Sequence, residues 1–185
     1  LSVPRGASSL FYPLHRLSRQ VADCYRVEKA TIRRASPHVI VVELTARTPI
    51  VVLDDGVGGT LVSREGILLQ RVAQPPAELP VVVGVTIPRA PLGTRVEPER
   101  WRWTREILAG ATKAGLREGL RVDLSNLYAI TLQTRDGVDC LVGNVNNLTR
   151  KVALIGRLLE QLRAEGTRVT GVDVSTPETP RWKVQ

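Results

Sequence analysis

Few residues in this chain have types and spacing that chemistry could use. The two histidines, His15 and His38, fall in a helical stretch and in a turn, and neither has a cysteine or carboxylate at metal-ligand spacing. A serine nucleophile on a sharp strand-to-helix turn needs a Gly-x-Ser-x-Gly elbow, and none occurs. Gly56-Val57-Gly58-Gly59 would let backbone N–H groups approach a phosphate. No Lys-Ser/Thr follows it, and short strands rather than a helix N-terminus flank it, so it reads as a hairpin loop. The carboxylate pairs Asp54-Asp55 and Asp136/Asp139 lie in or beside glycine-bearing turns, where aspartate serves the turn itself. Asn147-Leu148-Thr149 fits a glycosylation pattern, and Asn147 equally suits a helix start. Cys24 and Cys140 stand in different elements and read as two buried thiols acting as small hydrophobes. The inventory offers no catalytic residue, no metal ligand and no cofactor site. It points to a protein that binds rather than one that makes bonds.

The elements that would position a binding surface follow from composition and periodicity. The chain has 185 residues, 43% hydrophobic and 24% charged, which suits one large folded domain or two small ones. No apolar run approaches the roughly 18 residues that span a bilayer, and no secretory signal opens the chain. Position 1 is Leu and there is no Met, as expected of a processed form or an excised piece, and any membrane anchor would lie upstream. A net charge of +8 and a pI near 10.3 raise nucleic acid as a partner. The 22 arginines are scattered, however, and aromatics at 4% give few stacking platforms, so nucleic acid is not the expected partner. A diffuse attraction to anionic lipid headgroups accounts for the charge as well.

Leu10, Leu14, Leu17, Val21 and Cys24 recur at helical spacing over residues 9–24, with Ser8 or Ser9 as cap. A hairpin follows, from Arg26 to Arg33 and from Val39 to Ala46, about a Ser36-Pro37-His38 turn. Short strands are predicted at 50–53, 60–63, 67–71 and 81–85, the last inside a proline-rich connector. Pro98 opens a helix whose buried face is Trp101, Thr104, Ile107, Leu108 and Ala111, and Gly115 stops it. Strands are expected at 120–124, 127–133 and 138–142, the last two joined through the Asp136-Gly137 turn. A second helix runs from Asn147 to Gly166, a final strand covers Val169 to Val174, and Pro177 and Pro180 mark a ragged tail. No internal repeat stands out.

The order of motifs carries a resemblance. Tyr25-Arg26-Val27-Glu28-Lys29-Ala30-Thr31-Ile32-Arg33-Arg34, then Ser36-Pro37-His38-Val39-Ile40-Val41-Val42-Glu43-Leu44 and Thr48-Pro49-Ile50-Val51, resemble the passage that closes a POTRA domain and opens the second domain of the FtsQ/DivIB family. Leu61-Val62-Ser63-Arg64-Glu65-Gly66, Glu78-Leu79-Pro80-Val81-Val82-Val83-Gly84, Leu127 to Leu132 with Val138 to Gly143, and Val172-Asp173-Val174 are similar to four later family motifs, in the same order. Ser63 stands where the family has Asp, Ser175 where it has Arg, and Ser125-Asn126 where basic residues are common.

The resemblance implies an α+β fold: the C-terminal part of a POTRA domain over residues 1–48, a mostly antiparallel β domain with two packing helices over 49–176, and a tail over 177–185. It also implies a non-enzymatic scaffold, single-pass in the cell membrane with this region extracytoplasmic at the division septum. Such a scaffold recruits FtsB- and FtsL-like partners and supports septal cell-wall synthesis. Upstream division proteins would meet the POTRA part. The expected site is the last strand as an open sheet edge, with Val169, Val172, Asp173, Val174, Ser175, Thr176, Trp182 and Tyr128 contacting the guest. About six outward backbone groups at ~1 kcal/mol each roughly match the cost of ordering a guest strand, so Trp182 is expected to anchor it. Another POTRA-bearing secretion or assembly protein, or a basic nucleic-acid-binding domain, is the alternative.

Overall fold

The computed structural model describes residues 13–54, 56–85 and 90–184. Helix α1 (Leu14–Ala22) turns Leu17 and Val21 inward, and the earlier part of the expected helix lies outside the described residues. Strands β1 (Val27–Ser36) and β2 (Val39–Ala46) form an antiparallel hairpin, with Ile32 opposite Val42 and Arg34 opposite Ile40. This hairpin is a two-stranded sheet of its own, and α1 packs on β1.

The chain then builds one large sheet. Its strands are β3 (Pro49–Asp54), β4 (Gly59–Ser63), β5 (Leu68–Val72), β6 (Val81–Val83), β7 (Arg121–Asp123), β8 (Ile130–Gln133), β9 (Asp139–Gly143), β10 (Val169–Asp173) and β11 (Arg181–Val184). They lie in the order β11-β10-β9-β8-β7-β6-β3-β4-β5. Five strand junctions are antiparallel and three are parallel, β3 with β6, β6 with β7, and β9 with β10. The protein is α+β, with a mixed sheet. Helices α2 (Pro98–Lys113) and α3 (Leu148–Ala164) pack on each other, and their apolar stripes join the sheet in one core. Val122, Ile130, Leu132, Cys140 and Val172 point into that core, while Arg121, Asp123, Thr131, Gln133 and Asp139 alternate with them toward solvent. That alternation is what a sheet with helices on one face requires.

The topology repeats itself in a way that the sequence did not reveal. Elements β6-α2-β7-β8 and β9-α3-β10-β11 are two copies of one β-α-β-β unit. In the first, Val82 stands opposite Val122 and Val83 opposite Asp123; in the second, Cys140 stands opposite Val172 and Leu141 opposite Asp173. Val122-Asp123-Leu124-Ser125 and Val172-Asp173-Val174-Ser175 fill equivalent places, and in each the aspartate accepts the N–H of the serine two residues on. Gly84 and Gly143 close the first strand of each unit with φ near +79° and +78°, against Ser125 and Ser175 respectively. One extra residue in the second unit coincides with the register shift between β8 and β9. So few side chains match between the two units that periodicity alone passes over the repeat.

Candidate partner-binding margin

A sheet meets another chain at its margins, so the two outer strands decide what this one can do. At the β5 end, Leu68 exchanges backbone hydrogen bonds with Thr94 and Gly93, and Ile67 bridges Arg95. The connector between β6 and α2 therefore covers part of that margin. At the other end lies β11. Among the described residues no strand stands beyond it.

This arrangement corrects the expected site. Strand β10, taken as the open edge, is flanked on both sides, parallel to β9 and antiparallel to β11. Residues assigned to a ragged tail fold back as β11, setting Arg181 opposite Asp173, Trp182 opposite Val172, Lys183 opposite Gly171 and Val184 opposite Val169. The reason is local. Pro177 and Pro180 bound a turn closed by Thr179 N–H donating to the Thr176 carbonyl, and the chain leaves it running back along the side of β10 that β9 leaves free.

The named residues therefore divide. Val172 and Val174 are core, 3% and 0% exposed, and Val169 is half-buried at the core's rim. The Asp173 carboxyl is held below its ordinary range by the Ser175 hydroxyl first, then by the Ser175 N–H and nearby Arg181, against the opposing effect of burial. Asp123 is held low in the same way by Ser125. Ser175 and Thr176 thus shape the turn that returns the chain to β11. Tyr128, 88% exposed, sits in the β7–β8 loop, where the Asn126 side chain accepts its N–H. Parallel β7 and β9, and β9 and β10, put that loop and the β10–β11 turn at the same end of the sheet. Three strand spacings, about 14 Å, separate β8 from β11. Trp182 alone of the eight lies on the free margin, 47% exposed beside Val184 at 61%.

Arg181, Lys183 and Val184 share this margin and were not among the residues expected there. Their period-two alternation with Trp182 was visible, but four residues after a proline carry no strand signal of their own. One further residue supports the margin. Lys151 of α3 is buried, and its Nζ donates to the Asn144 side chain at 3.0 Å. Burial lowers its pKa, opposed by the nearby carboxylate of Glu178 in the turn before β11. The amine thus stands between the loop leaving β9 and the turn that delivers β11.

The remaining candidates take structural roles. Cys24 is exposed and Cys140 buried, both as free thiols, so the expectation of two buried cysteines holds for one. Asn147 starts α3 from a left-handed conformation, φ 56°, without a side-chain cap. Asp54 accepts the N–H of Gly56, and Arg121 donates to its other oxygen; Asp55 lies outside the described residues. No helix among the described residues is long and apolar enough to cross a membrane.

Comparisons with known proteins give little. No family model matches the chain. No curated protein matches it. Among solved structures, it is similar to the major extracytoplasmic domain of the cell division protein DivIB from Geobacillus stearothermophilus, at 13% identity and a TM-score of 0.39, covering 59% of this chain and 87% of that one.

Proposed function

We propose that this chain is the extracytoplasmic region of a bacterial division scaffold that makes no bonds itself. It recruits a partner polypeptide by accepting a strand on β11. The partners are FtsB- and FtsL-like proteins, the anchor is a single membrane span upstream, and the setting is the division septum, where recruitment supports cell-wall synthesis. The hairpin region before residue 49 serves as the contact for upstream division proteins. Two things support the reading: the ordered motifs from Tyr25 to Val174, and the free margin itself.

The free margin carries it. β11 is a four-residue strand with every residue exposed, at the end of a nine-stranded sheet, with an aromatic side chain available beside its backbone. Alternate residues of an edge strand point their backbone groups outward, so β11 offers about four hydrogen bonds, worth roughly 4 kcal/mol net. Fixing four guest residues costs about 4–8 kcal/mol of backbone entropy. Pairing alone therefore does not hold a guest, and burial of Trp182 and Val184 must supply the surplus.

The test is a proline scan of Arg181 to Val184, titrated with the extracytoplasmic segment of an FtsB-like partner. Proline at a position whose N–H points outward removes one donor to the guest and leaves β10 pairing intact. At one of two adjacent positions binding should be lost while the thermal melt is retained. Undiminished binding at every position that keeps the fold would reject the reading.

A further inference from the structure

If a guest strand does add to β11, as proposed above, the side chains of β11 dictate what kind of strand it is. Residues directly opposite in an antiparallel pair share a face. Trp182 stands opposite Val172, a core residue, so Trp182 and Val184 belong to the helix side of the sheet. Arg181 and Lys183 belong to the opposite, solvated side. There the register draws two rows across five strands: Asp123, Thr131, Leu141, Asp173, Arg181, and Arg121, Gln133, Asp139, Gly171, Lys183. They floor a shallow concavity of about 930 Å³ that Arg181 and Lys183 bound on its outer side.

Within the rows charge is compensated. Asp139 accepts from the Gln133 amide, Arg121 pairs with Asp54, and Asp173 faces Arg181. At the margin the compensation thins: Asp173 opposes Arg181 only in part, and Lys183 has no acidic residue across the strand. Lys183 stands opposite a glycine, and neither it nor Arg181 has a carboxylate within salt-bridge distance among the described residues. Each row ends in a cation, with no strand beyond it among the described residues.

We infer that the guest is a strand alternating apolar and acidic residues, its apolar side chains laid beside Trp182 and Val184 and its carboxylates beside Arg181 and Lys183. Opposite charges directly across a strand pair attract and like charges repel by comparable amounts. Replacing two guest carboxylates with two ammonium groups therefore weakens binding roughly tenfold at low salt. The difference shrinks as salt rises, because these side chains are exposed. The same cations disfavour pairing of β11 with β11 of a second copy, a recognised use of charged residues on an edge strand.

The experiment uses the whole 185-residue chain and three short peptides on one soluble carrier: alternating Val/Glu, alternating Val/Lys, and a Val/Glu peptide of equal composition arranged in blocks. Titrated at about 50 mM salt, alternating Val/Glu should bind roughly tenfold more tightly than alternating Val/Lys. The blocked peptide, which cannot keep one face apolar, should not bind. In the Lys183→Glu variant, which sets the new charge opposite Gly171 and so leaves the fold undisturbed, the preference should fall or invert. Equal affinities for the two alternating peptides, or an unchanged preference in Lys183→Glu, would overturn the charge rule and leave strand addition standing. Equal binding of the blocked peptide would show adhesion without strand geometry and overturn it as well. Failure of every alternating peptide to bind would count against strand addition itself.

Discussion

Cys140 and Cys24 carry the same group in opposite surroundings. Burial in the core, aided by the neighbouring Asp139 charge, pushes the Cys140 thiol up to about 12. The thiolate is the reactive form, so at pH 8 only about one Cys140 in 10⁴ carries it. Cys24 is exposed and keeps its access to reagent. A thiol reagent at pH 8 should therefore titrate one equivalent in the folded protein and two after denaturation. A second equivalent under native conditions would mean that the core opens readily around β9. Asp173 makes a prediction of different sign. Its folded pKa lies below the ordinary 3.8, so as pH falls the unfolded chain takes up the proton first. The stability it contributes is fully present above about pH 4 and is lost as pH falls through the folded value. Asp173→Asn should lower the urea midpoint at pH 7, and the gap to wild type should narrow as pH falls through the folded value. A gap independent of pH would assign the effect to shape instead of charge.

Between the two helices the decisive residues have no side chains. A Cβ on Gly156 of α3 would sit 2.4 Å from the Ala114 Cβ at the end of α2, and one on Gly110 would sit 2.8 Å from Val152. Alanine for glycine inside a helix normally gains about 0.5–1 kcal/mol. Here overpacking costs about 1–3 kcal/mol, so the clash wins. Gly156→Ala should lower the melting temperature by some 2–8 °C, and adding Ala114→Gly should recover part of it, because the Ala114 Cα and carbonyl oxygen remain 2.9 and 3.0 Å from the new Cβ. Recovery is the informative arm, because it distinguishes a contact from a general loss of helix. The contact itself was illegible beforehand, since a glycine inside an apolar stripe gives no sign of what will lie against it. The helix around it was legible. Pro98 and Gly115 bracket Trp101, Thr104, Ile107, Leu108 and Ala111, and these five are buried. The hairpin β1–β2 was legible for the same reason, an unbroken β-branched run about a proline turn. β11 was not. Its four exposed residues have no burial pattern, and what makes them a strand is the open side of β10, a fact of tertiary structure. The exposure of Trp182 could thus be expected from the sequence, while the strand presenting it could not.

At the scale of the whole molecule, the sheet has two ends and the chain treats them differently. The connector at residues 93–95 lies along β5, whereas β11 lies along β10 and, among the described residues, has no strand on its outer side. A sheet that extends by one more strand must have a margin attractive enough to pair and guarded enough not to pair with itself. β11 meets the second need through Arg181 and Lys183, since two copies pairing edge to edge would set cations near cations. β10 is guarded less, by Asp173 alone, because its other open-face residue is Gly171 and Val172 on its inner face is core. Ending the chain after Thr179 should therefore change stability little, by about 0–2 kcal/mol, because four backbone hydrogen bonds and the ordering of four residues nearly cancel. The melting temperature should fall by no more than about 8 °C. Association should change far more. Sedimentation of the truncated chain should show dimers or larger species growing with concentration, while the full chain stays monomeric over the same range. A truncated chain that remains monomeric throughout would mean that the margin of this sheet has no tendency to recruit a strand, and a guest on β11 would then need some other source of attraction.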